Sequence, residues 1–219
     1  MMQQTQAQNE LRPSEVIRLM EERHSVRNYE QYYAIPQEHL ETILKAAATA
    51  PSSWNLQHWK FLVVESREDK EKLLPIANGQ RQVVDSSVTV AVLGDLEANK
   101  NAEAVYGELV AKGLMPAQVK DTLLAQIEAA YSRSDAARLA RDEAIRNSAL
   151  AAMQLMLAAK ALGYDTCPMG GFNPRQLMQA FNIPERYVPL MLISVGKAAK
   201  PAHASSRLPL ERMVVRGSF

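Results

Sequence analysis

Only three stretches of this chain read as buried strands, and they lie far apart: residues 59–65 (WKFLVVE), 88–93 (VTVAVL) and 188–195. Between them run longer segments whose apolar residues recur at helical spacing. The order is helix, helix, strand, helix, strand, helices, long helix, strand. A doubly wound fold would alternate strands and helices more strictly. The expected class is therefore α+β, a central sheet flanked by helices.

The helical segments have legible ends. Val16, Ile17 and Met20 share a face after Pro13, with Glu15 near the positive end of the helix. That helix should fade near His24. A second follows Pro36, with Leu40, Ile43, Leu44 and Ala47 on one face, and Pro51 prevents its continuation. Residues 68–74 read as a short charged helix. Residues 96–141 are polar and helical, interrupted by Gly113 and Pro116, with apolar faces too thin for a core of their own. The longest helix is expected over 142–162, with acidic residues at its start and Gly163 just past its end. Residues 149–159 are apolar almost all round, so this helix should be buried on every side, in a core or a subunit interface. A short helix should begin at Asn173–Pro174, with Asn as cap and Pro in the first turn. The expected organisation is an arm at 1–13, one domain at 14–209 with a helical excursion or lid at 95–141, and a tail at 210–219.

A chain of 219 residues can bury one sizeable core, and its 22% charged residues are ordinary for a globular protein. A net charge of +1 gives no general reason to expect nucleic acid or a membrane surface as partner. Any bound anion must be held by local donors. The single Cys167 fits a reducing compartment. Residues 1–13 have no apolar core of signal-peptide type, and no window reaches the roughly 18 apolar residues of a membrane span. A cytoplasmic location is expected. His24, His39, His58 and His203 are widely spaced, with no H-x-x-x-H or C-x-x-C pair, so no metal site is expected. There is no G-x-G-x-x-G and no P-loop.

Four constellations can carry chemistry. Arg23, Ser25 and Arg27 put two guanidinium forks and a hydroxyl in a small area, as a phosphate ester requires. The same segment also reads as a solvated helix end. Residues 50–59 (APSSWNLQHW) form a loop rich in hydrogen-bonding side chains, suited to the polar edge of a heteroaromatic ring, or a polar connection over two packed Trp residues. In residues 163–172 (GYDTCPMGGF), Gly170–Gly171 allow positive φ and a close backbone approach to a ligand, or make an ordinary turn. Arg207 stands alone in an extended tail.

In composition and order these four segments resemble the FMN-dependent nitroreductase family, over most of the chain from about Glu15 to Pro209. The CPMGGF stretch is similar to a quinone- and nitro-reducing subgroup. The resemblance implies a mostly antiparallel sheet and an interwoven homodimer. It implies FMN as cofactor, NADH or NADPH as hydride donor, and a small quinone or nitroaromatic acceptor, in a ping-pong scheme at one shared site. By position, Arg23, His24, Ser25 and Arg27 would hold the phosphate and the pyrimidine side of FMN. Pro51, Ser52, Ser53 and Asn55 would reach it from the other subunit. Pro168, Met169, Gly170 and Gly171 would lie along the isoalloxazine, and Arg207 would bind phosphate. Gln82 sits where the family often places a polar contact to the flavin, with Gln80 an equal candidate. Acceptor protons can come from water, so no catalytic side chain is assigned.

The chain departs from the family at two places. Some members carry Glu where this chain has Gly170, and Lys where it has Ser205. Other flavin chemistry on the same scaffold, such as enal reduction, reductive dehalogenation or oxidation, stays open, as does flavin binding without catalysis.

Overall fold

A computed structural model gives the fold, and the structure describes residues 13–219. The arm expected at 1–13 lies outside the described residues except for Pro13. Eight α-helices are described: α1 Pro13–Glu22, α2 Gln37–Ala48, α3 Arg67–Ile76, α4 Gln82–Asp85, α5 Ala102–Ala111, α6 Ala117–Tyr131, α7 Ala136–Ala161 and α8 Pro174–Ala180. Four strands, β1 Trp59–Val64, β2 Val88–Asp95, β3 Asp165–Met169 and β4 Tyr187–Gly196, form one sheet in the order β1-β2-β4-β3. Every neighbouring pair is antiparallel, so the α+β class with an antiparallel sheet holds.

The sheet is the middle of three layers. Along β2 the side chains alternate between two cores, as the twofold period of a strand requires. Val88, Val90 and Val92 face α2 and α7, where Leu40, Ile43, Leu155 and Ala159 complete one core. Ala91 and Leu93 face the other side, with Leu73, Val83 and Leu177 of α3, α4 and α8. Because both faces are covered, β2 is buried along its whole length.

Four expectations need correction. Strand β3 is a fourth strand beside the three expected: its five residues include Cys167 and Pro168 and show no alternation, and an edge position lets Pro168 omit its ladder hydrogen bond. Strand β2 runs on past residue 93 to take in Gly94 and Asp95. Gly94 is needed there because α7 crosses at Ala144, whose carbonyl oxygen would lie 2.9 Å from a Cβ at this position. Helix α7 starts at Ala136, not Asp142, so the acidic pair Asp142–Glu143 lies inside it. Finally, the excursion does build a small core: Ala98, Ala102, Tyr106 and Ile127 close around Leu56, with Trp54 packed against them.

Helix α7 is not buried on every side within one chain. Ala151, Ala152, Leu155 and Ala159 are fully buried, while Leu150 and Met153 stay 45% and 40% exposed. Across the described residues no helix is long and apolar enough to cross a membrane.

Candidate functional site

The segment after α1 runs beside the free edge of β3. Ser25 bridges Thr166 in parallel fashion, and the Val26 N–H donates to the Thr166 carbonyl at 3.0 Å. Tyr29 then pins the segment from below, its hydroxyl 2.9 Å from Ser194 Oγ. This pairing places Arg23 and Arg27 next to Cys167 of β3, where both cations pull on the thiol. Burial pushes that thiol above its ordinary range, against the pull of Arg27, the Gln82 hydrogen bond and Arg23. Cys167 is thus poorly suited to act as a nucleophile. Its role at the site is packing.

Arg23 is half-buried, and among the described residues its Nη1 is buried without a hydrogen-bond partner; Thr166 Oγ1 is another such atom. Buried donors are rarely left unpaired, so an acceptor belongs here. His24 and Arg27 are exposed, and Ser25 is half-buried.

The turn after β3 joins the same group. Gln80 Nε2 donates to the Gly171 carbonyl at 2.8 Å, and Asn78 Nδ2 donates to it at 2.9 Å. Gln82, buried at the start of α4, donates to Gln80 Oε1 at 3.2 Å. Met169 is buried, whereas Pro168 is half-buried and Gly170 and Gly171 are exposed. Neither of these glycines adopts positive φ, which corrects the reason expected for them. A Cβ at Gly170 would meet nothing within 4 Å. The bare backbone is what this turn offers. Beside it opens a groove of about 560 Å³ lined by Asn78, Phe172, Asn173, Pro174 and Arg175.

The 51–55 loop lies elsewhere, at the β1 edge of the sheet. Its backbone is strained: Trp54, Asn55 and Gln57 have φ of 50°, 52° and 54°. A left-handed non-glycine residue costs about 1–2 kcal/mol, so the surroundings must hold it. From α7, Asn147 Oδ1 accepts from the Ser53 N–H at 2.9 Å, and Glu143 Oε2 accepts from Ser53 Oγ at 2.5 Å. From the excursion, Tyr106 donates to the Trp54 carbonyl at 2.7 Å, and Asn101 donates to the Leu56 carbonyl at 2.9 Å. Within the loop, Ser52 Oγ accepts from the Gln57 N–H at 2.9 Å. Pro51 and Asn55 are exposed.

Beneath the loop, burial would raise the Glu143 carboxyl. Hydrogen bonds from Ser53 and Asn147, with the charges of Arg146 and His58, outweigh it and hold the carboxyl below its ordinary value. His58, fully buried, has its pKa lowered by desolvation, against the pull of Glu143 and Asp95.

Within one chain the structure therefore brings Arg23, Ser25, Arg27, Gln82 and the Pro168–Gly171 turn together, and keeps Ser52, Ser53 and Asn55 at the far edge. Arg207 lies in the exposed tail, where Nη1 donates to Ser205 Oγ at 3.2 Å and to the Ser206 carbonyl at 2.9 Å. Sequence reasoning missed Glu143, Asn147, Tyr106 and Asn101. A signal existed for the first two: the buried positions Ala140, Ala144, Ser148, Ala151 and Leu155 trace one helical stripe, and Glu143 and Asn147 lie on it.

A sequence profile of the Nitroreductase family matches residues 20–197. YodC of Bacillus subtilis (strain 168), which bears the name of an NAD(P)H nitroreductase, is 53% identical over 195 residues, spanning 89% of this chain and 95% of that protein. A nitroreductase from Exiguobacterium sibiricum 255-15, crystallised in complex with FMN, superposes with a TM-score of 0.88 at 41% identity, covering 92% of this chain and 97% of its own. A CLA biosynthesis enone reductase of Lactiplantibacillus plantarum is 32% identical over 85% of this chain and 88% of its own length. With its profile match across both halves of the sheet and relatives aligned nearly end to end, this chain belongs to the nitroreductase family.

Proposed function

We propose that this chain is an FMN-dependent oxidoreductase that takes hydride from NADH or NADPH and reduces small acceptors such as quinones and nitroaromatics. One observation carries the reading: among the described residues Arg23 Nη1 is buried without a partner, beside Arg27, at the edge of β3. A terminal phosphate supplies the oxygen acceptors that such a guanidinium lacks. The donors present fit FMN, which has one phosphate, better than a dinucleotide, since no pyrophosphate-binding glycine loop accompanies them. The FMN named in the Exiguobacterium complex agrees with this fit.

Bound FMN would supply a ring that accepts hydride and passes the reducing equivalents on. The chain's own residues do the rest. Arg23, Ser25 and Arg27 would hold the phosphate and the pyrimidine side, with His24 contributing backbone contacts. Gln82 would offer a polar contact. The Pro168–Gly171 backbone would lie along the ring, leaving room for nicotinamide and acceptor to occupy one place in turn. That shared place is the basis for a ping-pong scheme.

The site is completed by a second copy of the chain. Arg23 and the 51–55 loop sit at opposite edges of the sheet, so one chain cannot close both around one ring. The apolar side chains left open, Ile17, Met20, Leu150, Met153 and Leu208, would be covered in a homodimer whose partner's tail brings Arg207 to the phosphate. A second reading, reduction of an activated C=C bond, is favoured by the enone reductase relative.

The test is steady-state NADH and NADPH oxidation with menadione, a nitroarene and an enone as acceptors. Turnover with at least one supports the assignment. A protein that takes up no FMN, or holds it without oxidising either nucleotide, overturns it.

A further inference from the structure

Ser53 is gripped twice from α7, and the two grips depend on each other. Glu143 is 6% exposed and Asn147 2% exposed. Asn147 Nδ2 donates to the Glu143 carbonyl oxygen at 2.7 Å and to its Oε2 at 2.8 Å. That fixes which way the Asn147 amide faces, leaving Oδ1 to receive the Ser53 N–H. The carboxylate accepts only, so the Ser53 hydroxyl proton is committed to Glu143. Toward anything else, Ser53 Oγ can only accept. The other oxygen, Oε1, is occupied by Arg146 Nη1 at 2.6 Å.

We propose that Glu143 is the positioning residue of the 51–55 loop: through Asn147 and the Ser53 hydroxyl it holds the strained backbone in place and makes Ser53 an obligate acceptor toward a bound ring N–H. The proposal rests on reading this loop as part of the FMN site. It places the specificity of the contact in a buried carboxylate that itself touches neither cofactor nor substrate. A ring carbonyl opposite Ser53 would be repelled, and a ring N–H satisfied. Tyr106, whose hydroxyl holds the Trp54 carbonyl, steadies the same loop from α5.

Alanine at position 143 takes the acceptor away from both Ser53 and Asn147, whereas glutamine could keep its amide oxygen toward them and turn its NH₂ on Arg146, whose side chain is 63% exposed and can swing into solvent.

The chain contains two tryptophans, and Trp54 lies in the loop, so Trp59→Phe leaves it as sole reporter. In that background, Glu143→Ala should raise acrylamide quenching of Trp54 in flavin-free protein by about twofold. In FMN-loaded protein it should weaken FMN binding by about tenfold and shift the visible band of the bound flavin. Ser53→Ala should do the same, and the two changes combined should add little to either alone. Ser53→Ala also tests the contact from the loop side if Glu143→Ala fails to fold. Unchanged Trp54 quenching, unchanged FMN affinity, or fully multiplicative effects would each overturn the proposal. A wild-type chain that takes up no FMN would overturn the assigned function instead. Trp54 quenching would still decide whether Glu143 holds the loop.

Discussion

Gln80 Nε2 lies 2.8 Å from the carbonyl oxygen of Gly171, so a side chain from the loop before α4 holds the double-glycine turn after β3. The same amide donates to the Ala77 carbonyl at 3.0 Å, and its oxygen receives Gln82. Both donors of Gln80 are thus spent inside the chain, as is the buried Gln82 amide, which donates to Gln80 and bonds the Cys167 thiol. Gln80→Ala should cost about 1 kcal/mol, or about 2–4 °C in Tm, and slow NAD(P)H oxidation by loosening the turn. Thermal melts and steady-state rates on one preparation check both. A rate equal to wild type would show that the turn needs no brace.

The phosphate reading orders three arginines. Arg23→Ala and Arg27→Ala should each weaken FMN binding by about 1.5–3 kcal/mol, the scale for hydrogen bonds to charged groups. Arg18 pairs with Glu22 on the exposed face of α1, so Arg18→Ala should leave FMN affinity where it was. Fluorescence titration of the apoprotein measures all three, and equal affinities would show that the phosphate lies elsewhere.

What the sequence made legible follows from local physics. β1, β2 and β4 announce themselves as apolar runs, and the Asn173 side chain caps α8 as its type requires, accepting from the Gln176 N–H at 3.1 Å. β3 is hidden because Pro168 and Cys167 carry no strand pattern; only pairing with β4 makes those residues a strand. Ser53, Arg23 and Gly171 stand out by residue type and order. Their supports do not. Glu143 meets Ser53 from 90 residues away, and Tyr106 meets Trp54 from 52, so only the crossing of α7 over Gly94 and the folding back of α5 join them. Gly170 and Gly171 were readable as a site but for the wrong reason, because exposure of bare backbone, not positive φ, is what they provide.

Assembly gives a third prediction. With Leu150 and Met153 of α7 exposed, and Ile17 and Met20 on α1, which packs against α7, a chain of 24.3 kDa should scatter light as a dimer. Leu150→Asp places a charge in that face and should shift the population toward monomer, with loss of bound FMN. A wild-type monomer that retains full FMN would exclude the two-chain site.

Acid should destabilise the fold in a defined window. His58 is buried with Nδ1 unpartnered, and burial lowers its pKa from 6.5. Below about pH 6.5 the unfolded chain takes up a proton that the folded chain does not, so stability falls as pH drops. Glu143 acts in the same direction further down: its carboxyl lies below 4.5 in the fold, so its contribution holds above that value and is lost as pH falls through the folded pKa. Tm should be flat above about pH 7 and decline toward pH 5, and His58→Gln should flatten that decline. A wild-type Tm equal at pH 7 and pH 5 would mean that His58 is not held neutral.

The sharpest prediction separates a turn from a site. Gly170 has no positive φ, and a Cβ there meets nothing within 4 Å, so the folded chain has room for alanine. By restricting the unfolded chain, Gly170→Ala should leave stability unchanged or raise it by about 0.4–1 kcal/mol. If the turn only reversed the chain, nothing else would change. If its backbone lies against the flavin, the added methyl group occupies the space where ring or nicotinamide must sit. Hydride transfer needs reacting atoms about 3–3.5 Å apart, and a displacement of about 1 Å costs on the order of a hundredfold in rate. Gly170→Ala should therefore melt at or above the wild-type temperature while its flavin is bleached far more slowly by NAD(P)H. At Gly171 the new methyl group would sit 3.6 Å from Gln80 Nε2, an ordinary contact, so Gly171→Ala should also fold and report on the neighbouring stretch of backbone. Stopped-flow reduction compared with melting temperature, for both variants and wild type, separates the two cases. Wild-type reduction rates in both variants would mean that the reactive face of the ring lies away from this turn.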